Sequence, residues 1–156
     1  MLHRFANSRK DGQWPGNGAL FMDGSGALYG TTINGGCCGG VVYKLTPKAN
    51  GRWKETILYD FQGGASGYLP YAGVVMDKSG NLYGTTDGGG ASGCGVIYKL
   101  APQPKGKWKY TVLYTFYGWD GCAPAGNLVL DKKGNLYGGT ILGGATGNGV
   151  IFELTP

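Results

Sequence analysis

Charge and histidine are scarce in this sequence. Asp, Glu, Lys and Arg make up 15% of the 156 residues while hydrophobic types reach 42%, which excludes a disordered polyelectrolyte. The single histidine, His3, argues against a His-based catalytic triad or a multi-His metal centre. Of the four cysteines, Cys37 and Cys38 are adjacent while Cys94 and Cys122 stand alone. That is not the paired spacing of a zinc site, and no metal or other cofactor is expected. No apolar run approaches the roughly 20 residues of a membrane helix, so no membrane span is expected. The opening Met1-Leu2-His3-Arg4-Phe5 has no apolar stretch of signal-peptide type. No window carries a helical period, and the many glycines would interrupt one.

What the sequence has instead is repetition. Met22-Asp-Gly-Ser-Gly-Ala-Leu-Tyr-Gly-Thr-Thr32 returns as Met76–Thr86 and again as Leu130–Thr140, so that Tyr29, Tyr83 and Tyr137 fall 54 residues apart. Gly40-Val-Val-Tyr-Lys-Leu45 returns at Gly95–Leu100 and Gly149–Leu154, and Leu2-His-Arg-Phe5 at Leu58–Phe61 and Leu113–Phe116. A Gly-x-x-Pro element stands at Gly12–Pro15, Gly67–Pro70 and Gly121–Pro124. Each element is short, β-branched or aromatic, and bounded by Gly, Pro, Asp or Asn, which are strand signals. Four strands per unit follow: a after the proline, b in Leu-Tyr-Gly-Thr, c in Val-Ile-Tyr-Lys-Leu and d in Leu-Tyr-x-Phe. Asp-x-x-Gly joins a to b as a tight hairpin. The expected fold is all-β and β-propeller-like: a single domain over residues 1–156 in three four-stranded units of about 1–56, 57–111 and 112–156. The chain opens on a d strand, Leu2–Phe5, and stops after a c strand. Three units do not close a ring, so the expected assembly is half of a six-bladed propeller completed by a second chain in a homodimer.

These motifs resemble the GloVer tandem repeat over nearly the whole chain. The resemblance carries Asp-x-x-Gly-Asn-Leu-Tyr-Gly-Thr-Thr, the Gly-Gly loop, Gly-Val-Ile-Tyr-Lys-Leu-x-Pro and Leu-Tyr-x-Phe. It implies a bacterial, extracellular or cell-surface, propeller-like array, and it brings no catalytic residue with it.

Antiparallel strands put the a–b and c–d links on one face of the array and the b–c and d–a links on the other. The first face holds nine of the 14 basic residues: Lys48, Arg52, Lys54, Lys78, Lys105, Lys107, Lys109, Lys132 and Lys133. Trp53, Trp108 and Tyr110 interleave with them. That pattern suits nucleic acid or another anionic polymer, but the equivalent repeat positions of Trp53 and Trp108 favour packing between units. The second face is near neutral, with Arg9 and Lys10 beside its acids. It carries the candidate ligand-binding residues: the non-repeating aromatics Trp14, Tyr68, Tyr71, Tyr117 and Trp119, with Asp11, Asp87 and Asp120 among them. Rings in Gly-rich loops beside carboxylates can stack on sugars and bond their hydroxyls.

Asp23, Asp77 and Asp131 each open a hairpin, where Asp bonds backbone amides two residues on. Thr31, Thr85 and Thr140 have no nearby base and are not read as nucleophiles. Three functional readings follow. The first is a non-enzymatic binding or scaffolding module, with carbohydrate as its candidate ligand; the second a polysaccharide hydrolase or lyase using Asp11, Asp87 and Asp120; the third an anionic-polymer binder. No catalytic residue is assigned. Gly30, Gly84 and Gly138, the same in all copies, are expected where no side chain fits. In an oxidising compartment Cys94 is expected to bond Cys122, or either of them Cys37 or Cys38.

Overall fold

A computed structural model of the chain describes residues 1–6 and 11–156; Arg9 and Lys10 lie outside the described residues. The first unit contains β1 (Gly12–Pro15), β2 (Phe21–Met22), β3 (Leu28–Gly35), β4 (Val41–Pro47) and β5 (Trp53–Asp60). The second contains β6 (Val75–Met76), β7 (Leu82–Thr86), β8 (Val96–Pro102) and β9 (Trp108–Thr115). The third contains β10 (Cys122–Pro124), β11 (Val129–Leu130), β12 (Leu136–Leu142) and β13 (Ile151–Leu154). Each unit is one antiparallel sheet, and none of the sheets closes on itself.

The hairpins form for a local reason. Asp77 Oδ1 accepts from the backbone N–H groups of Ser79 and Asn81, and its Oδ2 from Asn81 Nδ2 and the Tyr83 hydroxyl. Asp23 and Asp131 repeat the arrangement with their own neighbours. Burial works against the charged form of Asp23, but these hydrogen bonds outweigh it and hold the carboxyl down to about 2. The repeated aspartates are thus turn residues, as their position in the sequence implies.

The sequence places strand a wholly after the proline; in the structure the ladder begins before it. Gln13 pairs with Asn34 at one end of β3, and Phe21 pairs with Tyr29 at the other. β10 and β11 flank β12 in the same way, and in the second unit Tyr68 bridges Gly88 ahead of β6. In the first and third units the pairing runs up to the proline, Pro15 opposite Thr32 and Pro124 opposite Thr140, and the residues after it leave the sheet; the residue before each proline is where the backbone is unusual. Trp14, Leu69 and Ala123 all adopt positive φ there, at 56°, 55° and 56°, an uncommon conformation for side chains larger than Gly.

Leu2–Phe5 is not a strand. β4 already has β3 on one side and β5 on the other, so the place a d strand takes beside a c strand is filled by β5. Its phenylalanine still takes its repeat position. Phe5 packs edge-on against Tyr43 with ring centroids 5.1 Å apart, as Phe61 packs against Tyr98 at 5.3 Å and Phe116 against Phe152 at 5.2 Å.

The cores lie between sheets. One gathers Ala27, Tyr29, Val42 and Phe61 of the first unit with Val74, Leu82, Tyr98 and Leu100 of the second. Another gathers Tyr83, Ile97 and Phe116 with Leu128 and Leu136. A smaller cluster of Leu28, Val41, Tyr43 and Leu45, covered by Phe5, Trp53 and Ile57, lies on the first unit alone. Trp53 and Trp108 are both packing residues. Polar bonds cross the seams as well: Thr31 donates to the Ala72 carbonyl and Thr85 to the Pro124 carbonyl. The Asn127 side-chain oxygen accepts from Gly73 N at 2.8 Å and Ala19 N at 3.4 Å, joining all three units.

Gly30, Gly84 and Gly138 lie opposite Tyr43, Tyr98 and Phe152 on the neighbouring strand. A Cβ on Gly30 would come within 2.6 Å of the Tyr43 hydroxyl, and one on Gly138 within 2.6 Å of Phe152 Cζ. Each ring lies over its glycine, and no side chain fits at any of the three.

Candidate functional site: the aromatic loops

The loops joining one sheet to the next hold four of the five candidate aromatics, Tyr68, Tyr71, Tyr117 and Trp119. The loop after β9 is the most constrained. Gly118 and Gly121 exchange backbone hydrogen bonds at 3.0 and 3.3 Å. Asp120 Oδ1 accepts from Tyr117 N at 2.7 Å, and its Oδ2 from the Tyr114 hydroxyl at 2.5 Å. A disulfide between Cys94 and Cys122 ties the loop to the β7–β8 link, and Ala123 N donates to the Cys94 carbonyl at 3.0 Å. This is one of the pairings left open by the sequence. On the frame so made, Trp119 is 75% exposed and Tyr117 52%.

Tyr68, Tyr71 and Asp87 form a second group around Leu69. Asp87 N and Tyr71 N both donate to the Leu69 carbonyl, at 3.0 and 2.9 Å. The Tyr68 ring lies over Gly88, where no Cβ would fit. Burial pushes the Asp87 carboxyl up from its ordinary value. Trp14 stands apart in β1, 65% exposed. The eight candidates therefore fall on four segments: Asp11 and Trp14 at β1, Tyr68 and Tyr71 before β6, Asp87 after β7, and Tyr117, Trp119 and Asp120 together before β10.

Asp11 belongs to a different constellation. Its carboxylate accepts from Ala6 N at 2.6 Å and Gly12 N at 2.8 Å, and His3 Nε2 lies 3.3 Å from it. His3 Nε2 is also 3.5 Å from Glu55 Oε2. Burial, and Asp11 beside it, push the Glu55 carboxyl up to about 7. Burial also works against the Asp11 charge, but the hydrogen bonds from Ala6, Glu55, His3 and Gly12 hold its pKa below the ordinary value. Neither His3 nor Glu55 stands out in the sequence, because each reads as an ordinary member of a d segment. Only the alignment of the copies, with Tyr59 and Tyr110 at the same places, sets them apart.

The opposite face has a groove of about 380 Å³ between the second and third hairpins, lined among others by Asp77, Lys78, Asp131, Lys132 and Lys133. At the far end of the chain, a cavity of about 150 Å³ is lined by Tyr114, Phe116, Asp120, Phe152, Glu153 and neighbours. Among the described residues β13 pairs only with β12, and Ile151 on it is 85% exposed.

No helix is long and apolar enough to cross a membrane. No curated protein matches the chain. The repeat itself is matched from one end of the chain to the other. The chain belongs to the Gloeobacter/Verrucomicrobia repeat family, whose model covers residues 1–156.

Proposed function

We propose that the chain is a non-enzymatic binding and scaffolding module, three blades of a β-propeller, that offers exposed aromatic rings to carbohydrate in an extracellular setting. The observation that carries this reading is the Trp119 loop. Two large rings stand in solvent on a loop fixed by a disulfide, a carboxylate with two hydrogen bonds and a backbone bridge. A ring held in place before binding loses little entropy when a ligand stacks on it, and flat apolar rings beside a carboxylate suit the faces and hydroxyls of a sugar. The disulfide fits an oxidising compartment. A glycosidase would need two carboxylates facing each other across a cleft, whereas Asp11, Asp87 and Asp120 sit on three separate loops with their own partners.

Affinity electrophoresis against a polysaccharide panel tests it. Retardation by at least one neutral polysaccharide is expected, weakened about tenfold or more by Trp119→Ala, as for an aromatic anchor worth 1–2 kcal/mol or more. Retardation by none, or retardation indifferent to Trp119→Ala and Tyr117→Ala, would overturn the reading. Salt-sensitive retention on an anionic polymer alone, lost on replacing Lys132 and Lys133, would favour the groove on the other face instead.

The propeller is completed, in this proposal, by a second copy of the chain. Tyr110 of the second unit fits among Tyr59, Phe61 and Tyr98 and donates to the Ser66 carbonyl. The repeat equivalents of these residues one unit on, Tyr114, Phe116, Phe152 and Asp120, line the 150 Å³ cavity beside β13. The cavity thus lies where a further strand would run beside β13. Light scattering is expected to give twice the chain mass; a well-folded monomer at micromolar concentration would count against a second copy.

A further inference from the structure

The first unit departs from its own repeat at two positions, His3 and Glu55, that meet in space beside Asp11, an aspartate it shares with the third unit's Asp120. In the seam between the first two units, Tyr59 and Tyr110 stack with centroids 4.0 Å apart and planes within 8°, and Tyr110 donates to the Ser66 carbonyl at 2.5 Å. One unit earlier, the equivalents of Tyr59, Tyr110 and Ser66 are His3, Glu55 and Asp11. An aromatic contact has been replaced, at all three places, by side chains that ligate metals.

The geometry is that of a ligand set. His3, Asp11 and Glu55 each offer one atom, all within 4.8 Å of one another. His3 Nε2 lies 3.3 Å from Asp11 Oδ1 and 3.5 Å from Glu55 Oε2. Donors about 2.1 Å from a tetrahedral ion lie about 3.4 Å from each other. The side chains are largely withdrawn from water, with only 20%, 11% and 12% of His3, Asp11 and Glu55 exposed. Glu55 Oε1 is buried with no hydrogen-bond partner. A carboxylate oxygen in that position is costly unless a cation or donor meets it. With both carboxyls deprotonated and the imidazole neutral, the three residues would carry two negative charges, which one divalent ion would neutralise.

We propose that His3, Asp11 and Glu55 form a binding site for one divalent transition-metal ion, Zn²⁺ or Mn²⁺. An imidazole with two carboxylates suits these ions; Ca²⁺ needs about six to eight oxygens, more than these three residues supply. The ion would tie the segment bearing His3 and Phe5 to β5 and to the loop before β1, closing over Tyr43. It rests on a different surface from the Trp119 loop and does not depend on carbohydrate binding.

The test is calorimetric titration of chelator-treated protein at pH 7.5 with Zn²⁺, Mn²⁺, Ca²⁺ and Mg²⁺. It is done in a Cys37→Ser, Cys38→Ser background, because those thiols lie 2.7 Å apart and would compete for zinc. One Zn²⁺ or Mn²⁺ per chain is expected, with a rise in Tm that EDTA reverses. His3→Gln and Glu55→Gln should each weaken binding about tenfold or more. Glu55→Tyr, which installs the residue of the second unit, should abolish binding while the metal-free Tm is kept. Absence of stoichiometric Zn²⁺ or Mn²⁺ binding, undiminished binding in a folded Glu55→Tyr or His3→Gln variant, or tighter binding of Ca²⁺ would each overturn the proposal.

Discussion

Gly84→Val is expected to destabilise the native state by about 3 kcal/mol, the upper part of the usual range for overpacking a core. Gly84 stands opposite Tyr98, whose side chain is wholly buried. A Cβ at Gly84 would meet the Tyr98 hydroxyl and would lie 2.6 Å from Tyr98 Cζ. The ring has nowhere to go, because Phe61 and Tyr110 bound it at centroid distances of 5.3 and 5.5 Å. Gly138→Val should cost less, since Phe152 on the third sheet is only half-buried. Gly24→Ala serves as the control: nothing lies within 4 Å of a Cβ there, and a change within about 0.5 kcal/mol is expected. Urea denaturation gives all three values. A Gly84→Val protein as stable as the wild type would remove the account of ring over glycine.

Cys122→Ser is expected to cost about 3 kcal/mol or slightly more. The Cys94–Cys122 bond joins residues 28 apart in sequence, and closing a loop of that length removes roughly this much free energy from the unfolded chain. The same bond holds the Trp119 loop against the β7–β8 link. Carbohydrate retention is therefore expected to fall even under conditions where Cys122→Ser remains folded. Reduction of the wild type should reproduce the mutant's denaturation midpoint. Equal midpoints for oxidised wild type, reduced wild type and Cys122→Ser would mean that the bond contributes nothing.

The parts of the fold legible in the sequence are those fixed by local chemistry. Asp77 turns its hairpin with hydrogen bonds to residues two and four along the chain, so Asp-x-x-Gly announces the turn wherever it occurs. The b, c and d strands carry their alternation in continuous runs. Strand a is harder to place because its pairing is divided by residues that leave the sheet after the proline, and no local signal specifies the positive φ of Trp14, Leu69 and Ala123 before it. Leu2–Phe5 repeats the letters of a d strand, but the place beside β4 that a d strand takes is filled by β5. The exposed aromatics were legible because they break the repeat in Gly-rich loops. Glu55 was not, since it sits in a lysine-rich strand where an acid looks like solvated surface. Its burial comes from His3 and Asp11, which approach it only through folding.

Because the two larger cores lie between sheets, the second sheet is the one gripped by a neighbouring sheet on both faces. Its β7 and β8 contribute Leu82, Tyr98 and Leu100 to one core and Tyr83 and Ile97 to the other. In a stack held by neighbour-to-neighbour contacts, opening starts at the ends. Backbone amides of β7 and β8 should therefore exchange with deuterium most slowly, and those of β12 and β13 soonest. The centre of the chain would remain folded as a remnant after its flanks have melted.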